Sequence, residues 1–215
     1  RRAVNFAIDR TALAAAVPGG TPTDQYLPPN IPGFRDAQLY PFRPDLRRAR
    51  RLAGSARRTG VMYTCNQRWC GRIAQILRRD LLRIGIDLRI EQFPFEQLYD
   101  RENTPGEPFD IGFLRWAPAI LDPGDVLDPL DGSEFFTDPG WLSRLGNARM
   151  LTGEARYRAY GALDVALARD AAPFAAYAVL TQGELFSSRI GCQIAHPVYG
   201  IDIAALCIRS GTNGG

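Results

Sequence analysis

Apolar residues recur along this chain with two periods, about 3.6 and 2, and their alternation outlines an α/β domain. Between Arg2 and Val17, the positions Val4, Ala7, Ile8, Thr11, Ala12 and Ala15 fall at helical spacing, and Pro18-Gly19-Gly20 ends the run. Thr21–Tyr40 is interrupted by Pro22, Pro28, Pro29, Pro32 and Gly33, which predicts a long irregular connection over the surface. Pro44 suits a first helical turn, with Asp45 favourable at the positive end of the helix dipole. Leu46, Ala49, Leu52 and Ala53 supply the inward stripe of that helix.

The clearest unit follows. Val61–Thr64 predicts a short strand. Ile73, Ile76, Leu77, Leu81 and Ile84 predict an amphipathic helix that Gly85 ends. Ile86, Leu88 and Ile90 then alternate with Asp87, Arg89 and Glu91 as in a half-buried strand. Strand, helix and strand at this length make a βαβ crossover with parallel strands and a right-handed connection. Beyond it the pattern predicts a short helix over Pro94–Arg101 and a strand over Phe109–Leu114. Residues 116–140 predict a loop carrying short helical pieces. A helix capped by Thr152 should run to about Asp170, burying Tyr157, Tyr160, Leu163 and Leu167. Pro173–Leu180, Glu184–Ser188 and Val198–Ile208 are expected as strands with turns.

Composition changes this picture little. A chain of 215 residues forms one large domain or two small ones. Its 46% hydrophobic and 23% charged content is ordinary for a globular protein. No apolar run reaches the ~18 residues of a membrane span; the longest, Ala171–Leu180, contains Pro173 and Tyr177. The chain opens inside a helical pattern without an initiator Met, so an export signal is expected upstream. All 26 basic residues are Arg, a bias expected of GC-rich coding.

Candidate chemistry is sparse. A single His, with no nucleophile elbow, phosphate loop or HExxH motif, leaves no acid–base constellation and argues against an enzyme. Zinc held by Cys65, Cys70, Cys192 and His196 is disfavoured: an extended Cys192–His196 would separate those two residues by ~13 Å at strand rise. The cysteine spacing is also wrong for a redox CxxC pair. The Arg-rich run Arg43–Arg58 lacks the stacking aromatics of a nucleic-acid binder and has the pattern of a solvated helix face. No cofactor is expected. Phe109–Pro123 (FDIGFLRWAPAILDP) is the most informative stretch, because a strand that delivers Trp116 into a Pro- and Asp-rich loop is a common way to line a cleft.

Six segments in order resemble the family 5 extracellular solute-binding proteins, the dipeptide-, oligopeptide- and nickel-binding components of ABC importers. They are RRAVNFAIDR (Arg1–Arg10), LPPNIPGF (Leu27–Phe34), YPFRPDLRRARRLA (Tyr40–Ala53), QILRRDLLRIGIDLRI (Gln75–Ile90), FDIGFLRW leading to LDP (Phe109–Pro123), and ARYRAYGALDVALARDAAPFAAY (Ala155–Tyr177). The resemblance implies a lobe of the class II periplasmic-binding-protein type, a mixed sheet flanked by helices. Residues 1–215 would be the second, C-terminal lobe of a two-lobed receptor that closes on its solute by hinge motion. The first lobe and the signal sequence would lie outside this chain. Its partners would be a small solute, the first lobe and a membrane permease, and its place extracytoplasmic, periplasmic or on the cell surface. A module of the same fold used for sensing or protein interaction, without transport, is the alternative.

The resemblance also implies a set of cleft residues. Trp116 would stack on solute. Asn66, Arg68 and Trp69, between Cys65 and Cys70, would lie at the cleft mouth, beyond the carboxyl end of a strand. Arg101 lies close to where some dipeptide-binding relatives place an Arg that grips a ligand carboxylate. Peptide-binding members carry an acid three residues after the cleft Trp; here that position is Ala119, and Asp122, the first acid after Trp116 and part of the Asp-Pro turn, is the nearest candidate in sequence to meet a solute amine. In an exported chain the four cysteines favour disulfides. The expected pairing is Cys65–Cys70 and Cys192–Cys207, one of three possible connectivities.

Overall fold

The computed structural model describes residues 1–131, 136–181, 183–196 and 198–209. The first helical pattern is divided in two: α1 (Arg2–Ala7) and α2 (Arg10–Ala15) are separated by Ile8, whose backbone is extended. Asp9 makes the break by capping α2, accepting the Ala12 N–H at 2.9 Å. Its own N–H donates to the buried Asp80 carboxylate at 2.9 Å. Next come β1 (Gly20–Pro22) and, after a long connection, α3 (Leu46–Ala53). Asp45 caps α3 through the Arg48 N–H at 2.9 Å, so Pro44 precedes the cap rather than entering the first turn.

The βαβ unit forms as the pattern predicts. β2 (Arg58–Cys65) pairs in parallel with β3 (Ile86–Phe93), from Arg58 opposite Ile86 to Cys65 opposite Phe93, and α4 (Arg68–Leu82) connects them. Gly85, at φ +82°, makes the turn out of α4 that a side chain would resist. The expected strand at Phe109–Leu114 shrinks to one bridge, Ile111 beside Met62. Carboxylates take the place of the ladder there. Asp110 Oδ2 accepts the Val61 N–H at 2.8 Å, and Glu102 Oε1 accepts the Phe113 N–H at 2.7 Å.

The remaining elements are α5 (Phe95–Glu102), α6 (Pro123–Leu127), α7 (Pro139–Arg149), α8 (Gly153–Ala166), β4 (Ala178–Leu180), β5 (Ile190–Gly191), β6 (Ala195–His196), β7 (Gly200–Ile201) and β8 (Cys207–Ile208). The helix after Thr152 widens into a π turn over Leu167–Ala171 and stops at Ala172, whose φ is +47°. Thr152 occupies the N-cap position of α8 without a capping side-chain bond. Helices flank the strands, which pair in small sheets. Among the described residues β2–β3 is the parallel pair, and β1–β4, β5–β8 and β6–β7 are antiparallel. Residues 184–188 form no strand: they are exposed, Leu185 completely.

Two apolar cores result. One gathers Phe6, Leu13, Met62, Ile73, Leu81 and Leu88 around the βαβ unit. The other gathers Leu27, Leu127, Leu145, Tyr160 and Leu167 around α6, α7 and α8. Each also encloses polar groups. Fully buried Arg10 donates to the carbonyls of Asn5 (2.7 Å) and Ala176 (2.8 Å) and to Asn5 Oδ1 (2.6 Å), and its guanidinium lies 5.2 Å from the Tyr40 ring centre. Loss of solvation lowers the Arg10 pKa to about 10. Asp164, also buried, accepts the Tyr26 N–H at 3.0 Å and the Gln25 amide at 3.1 Å. The Ala-Ile-Asp-Arg segment thus caps α2 through Asp9 and anchors the chain through Arg10.

Candidate solute-binding face

The carboxyl ends of β2 and β3 organise the candidate site, the edge where ligands of open α/β sheets bind. Cys65, the last residue of β2, is joined to Cys70 in α4, with Cα atoms 5.5 Å apart. The bond closes the strand-to-helix turn tightly. Asn66 donates its N–H to the Phe93 carbonyl at 2.8 Å, tying the turn to the end of β3. Asn66 and Arg68 remain exposed. Trp69 is half-buried and packs edge-on against Phe113, ring centres 5.5 Å apart.

Phe113 links this turn to the Trp116 loop, since it lies three residues before the indole. Trp116 is 49% exposed and its ring is held at one end, Nε1 donating to the Asp125 carbonyl at 2.9 Å. The Asp125 carboxylate accepts the Ala119 N–H in a short bond. Asp125 therefore holds both the indole and the loop, leaving a broad apolar surface toward solvent with Leu114 and Ile120 also exposed. Glu102 secures the start of the segment through Phe113, and burial raises its pKa to about 7.

Arg101 sits at the same edge, over the ring of Phe93 at 4.7 Å, but its guanidinium is already paired with Glu107 at 3.1 Å. Glu107 also accepts the Tyr63 hydroxyl at 2.8 Å. Arg101 thus closes a cluster with Tyr63 and Phe93. Asp122 lies elsewhere in purpose. It caps α6 through the Gly124 N–H at 2.7 Å and receives Arg156 of α8 at 2.6 and 2.9 Å. Arg156 holds the Asp122 carboxyl below its ordinary range. The acid beside the Trp116 loop is Asp125 rather than Asp122.

Asn66, Arg68, Trp69 and Arg101 thus lie at the carboxyl ends of β2 and β3, Trp116 is held by Asp125 of α6, and Asp122 is paired with Arg156. Asp125, Phe113 and Glu102 were not evident from the sequence. Asp125 had one available signal, its position three residues after Asp122 in a turn; Glu102 had none. Away from this edge, Cys192 is joined to Cys207. His196 is exposed, its Nδ1 accepting the N–H groups of Val198 and Tyr199 at 3.2 and 3.1 Å. Among the described residues no group of three His, Cys, Asp or Glu side chains could hold a metal, and no helix is long and apolar enough to cross a membrane.

This architecture recurs in solved binding proteins. A clavulanic acid biosynthesis oligopeptide-binding protein 2 superposes with a TM-score of 0.81 at 20% identity, over 97% of this chain and 43% of its own. A dipeptide-binding protein from Pseudoalteromonas sp. SM9913, in complex with Met-Leu, gives 0.77 at 19% identity, over 97% of this chain and 44% of its own. The substrate-binding domain of an oligopeptide ABC transporter from Bacillus anthracis str. Ames gives 0.75 at 16%, over 97% and 45%. The chain thus spans less than half the length of these structures, and its fold is that of a periplasmic-binding-protein lobe.

The sequence places it more narrowly. Residues 1–138 match the model of the bacterial extracellular solute-binding proteins, family 5 middle region, and the chain belongs to that family. No curated protein matches it significantly.

Proposed function

We propose that this chain supplies half of the solute cleft of an extracytoplasmic receptor that serves an ABC importer. The other half comes from sequence outside these residues, and a membrane permease receives the solute. The observation that carries this reading is Trp116: an indole half exposed, oriented by the Asp125 carbonyl and three residues beyond Phe113, whose ring packs on Trp69. An aromatic held at one end and open on its face binds a solute by stacking at little entropic cost.

The solute class follows from the acids. Ala119 offers no carboxylate, Asp125 is engaged by the Ala119 N–H, and Asp122 is neutralised by Arg156. A free α-ammonium buried at this position would lack a partner, a costly arrangement. The solute accordingly lacks a free α-amine here or meets an acid of the other lobe. The intact receptor, purified from its own host and analysed by mass spectrometry for bound solute, tests the reading. The expected result is a co-purified small molecule whose affinity falls ~10-fold or more in Trp116→Ala, a loss of ~1.4 kcal/mol. Strong thermal stabilisation by free di- or tripeptides, abolished by N-acetylation, would show the argument about the amine to be wrong.

A further inference from the structure

A groove between α2, α4 and β3 has the lining of an anion subsite. Its volume is about 790 Å³, within the range of small-molecule pockets. Its apolar lining is Ile76 and Ile90 with Ala12, Ala15 and Ala16 of α2. Its polar lining is Arg68, Arg72, Gln75 and Gln92. No acidic residue lines it.

Those four polar side chains share an unusual state. None forms a side-chain hydrogen bond, ion pair or ring contact among the described residues. By contrast Arg10, Arg79, Arg101, Arg149 and Arg156 are all satisfied by carboxylates or carbonyls. Arg68 and Arg72 stand one helical turn apart, where like charges repel. A bound anion would relieve that repulsion, and the guanidinium fork matches the two oxygens of a carboxylate or phosphonate. Gly71 keeps the space between them open: a Cβ there would lie 3.1 Å from Gln92 Nε2.

We infer that this groove binds the anionic group of a small amphipathic solute, a carboxylate or phosphonate attached to a compact apolar body. Arg68 and Arg72 receive the charge, the Gln75 and Gln92 amides complete its hydrogen bonds, and the apolar body rests on Ile76, Ile90 and the alanines. This rests on the reading of the chain as a solute-capturing lobe, because Arg68 belongs both to the groove and to the turn beside Trp69. An anionic solute also accords with the absence of a free carboxylate at Ala119.

The test uses N-acetyl-phenylalanine as the anionic probe and N-acetyl-phenylalaninamide as its uncharged counterpart. Both are titrated into the 215-residue chain and followed by amide chemical shifts. The anion is expected to move the signals of residues 68–76, 90–92 and 12–16, and the amide to bind at least ~10-fold more weakly, about 1.4 kcal/mol. Arg68→Gln with Arg72→Gln should weaken the anion by the same factor. Ala15→Glu, at an exposed helix position, should do so without touching either Arg. Equal binding of anion and amide, an unchanged double variant, or shifts confined to the Trp116 loop would overturn the inference. The same variants in the intact receptor separate the two readings. Solute capture that survives Arg68→Gln/Arg72→Gln removes the anion subsite alone, whereas anion binding without any solute capture by the intact receptor removes the transport reading alone.

Discussion

Asp122 and Arg156 form a two-point ion pair, Nη2 to Oδ1 at 2.6 Å and Nε to Oδ2 at 2.9 Å, which fastens the start of α6 to α8. Arg156 also reaches the Arg149 carbonyl at 3.1 Å, so a single guanidinium closes off the second core. Asp122→Ala should therefore destabilise the chain by about 2 kcal/mol, the scale of hydrogen bonds to charged groups. Its folded pKa is depressed by Arg156, so this contribution is present above the unfolded pKa and is lost as pH falls through the folded value. Urea denaturation at neutral and acidic pH measures both effects. A variant as stable as the parent at neutral pH would show that the pair contributes nothing.

Glu102 and Asp164 act with the opposite sign. Burial raises their pKa values to about 7 and about 6. A raised acid stabilises fully below its unfolded pKa and loses that contribution as pH rises through its folded one. The share of stability owed to these two groups should fall between about pH 4 and pH 7. Glu102→Gln keeps an oxygen for the Phe113 N–H but cannot ionise. Relative to the parent it should gain stability as pH rises from about 4.5 to 7. Parallel stability curves for the two proteins would refute the assignment.

Thr64 is fully buried in β2, and its hydroxyl has no hydrogen-bond partner among the described residues. A buried hydroxyl left unpaired costs free energy that a methyl of the same shape does not. Thr64→Val should raise stability by about 1 kcal/mol, read from the denaturation midpoint. A destabilised variant would mean that the hydroxyl has a partner in solution.

The Cys192–Cys207 bond spans a sequence separation of 15 and joins the ends of β5 and β8. Loop-closure entropy assigns such a crosslink ~3 kcal/mol. Thiol titration of the unreduced, denatured chain should find no free thiol. Cys192→Ser with Cys207→Ser should abolish amide protection at Ile190 and Ile208 while leaving β2 and β3 protected. Unchanged protection at Ile190 would show that the pairing of β5 and β8 stands without the crosslink.

Arg10 is the most demanding residue of the scaffold, a cation with no exposure whose bonds run to carbonyls and an amide oxygen rather than to a carboxylate. Arg10→Lys should cost at least about 3 kcal/mol, because an ammonium cannot span the same acceptors and would remain buried. Calorimetric unfolding measures the loss. A change under 1 kcal/mol would mean that the surroundings repack around the shorter head group.

The βαβ unit was legible in the sequence because both of its signals are local. Ile73, Ile76, Leu77 and Leu81 keep helical spacing, Ile86, Leu88 and Ile90 keep strand spacing, and Gly85 marks the turn between them. Periodicity reports which face of an element is buried, and a short crossover leaves parallel pairing as the outcome. The motifs from Arg1 to Tyr177 sufficed for the family, and with it for Trp116 as the residue to watch. Three outcomes depended on contacts distant in sequence. The strand at Phe109–Leu114 was reduced to a bridge because the Asp110 and Glu102 carboxylates capture N–H groups a ladder would have used. The Asp122 carboxylate is occupied because α8 carries Arg156, 34 residues further on. The groove beside Arg68 and Arg72 exists because α2, far earlier in the chain, packs small alanines against α4. Charge pairing and concavity are properties of separation in space, and composition and periodicity carry no term for it; they determine the elements, while the tertiary structure decides which acids are free to meet a ligand.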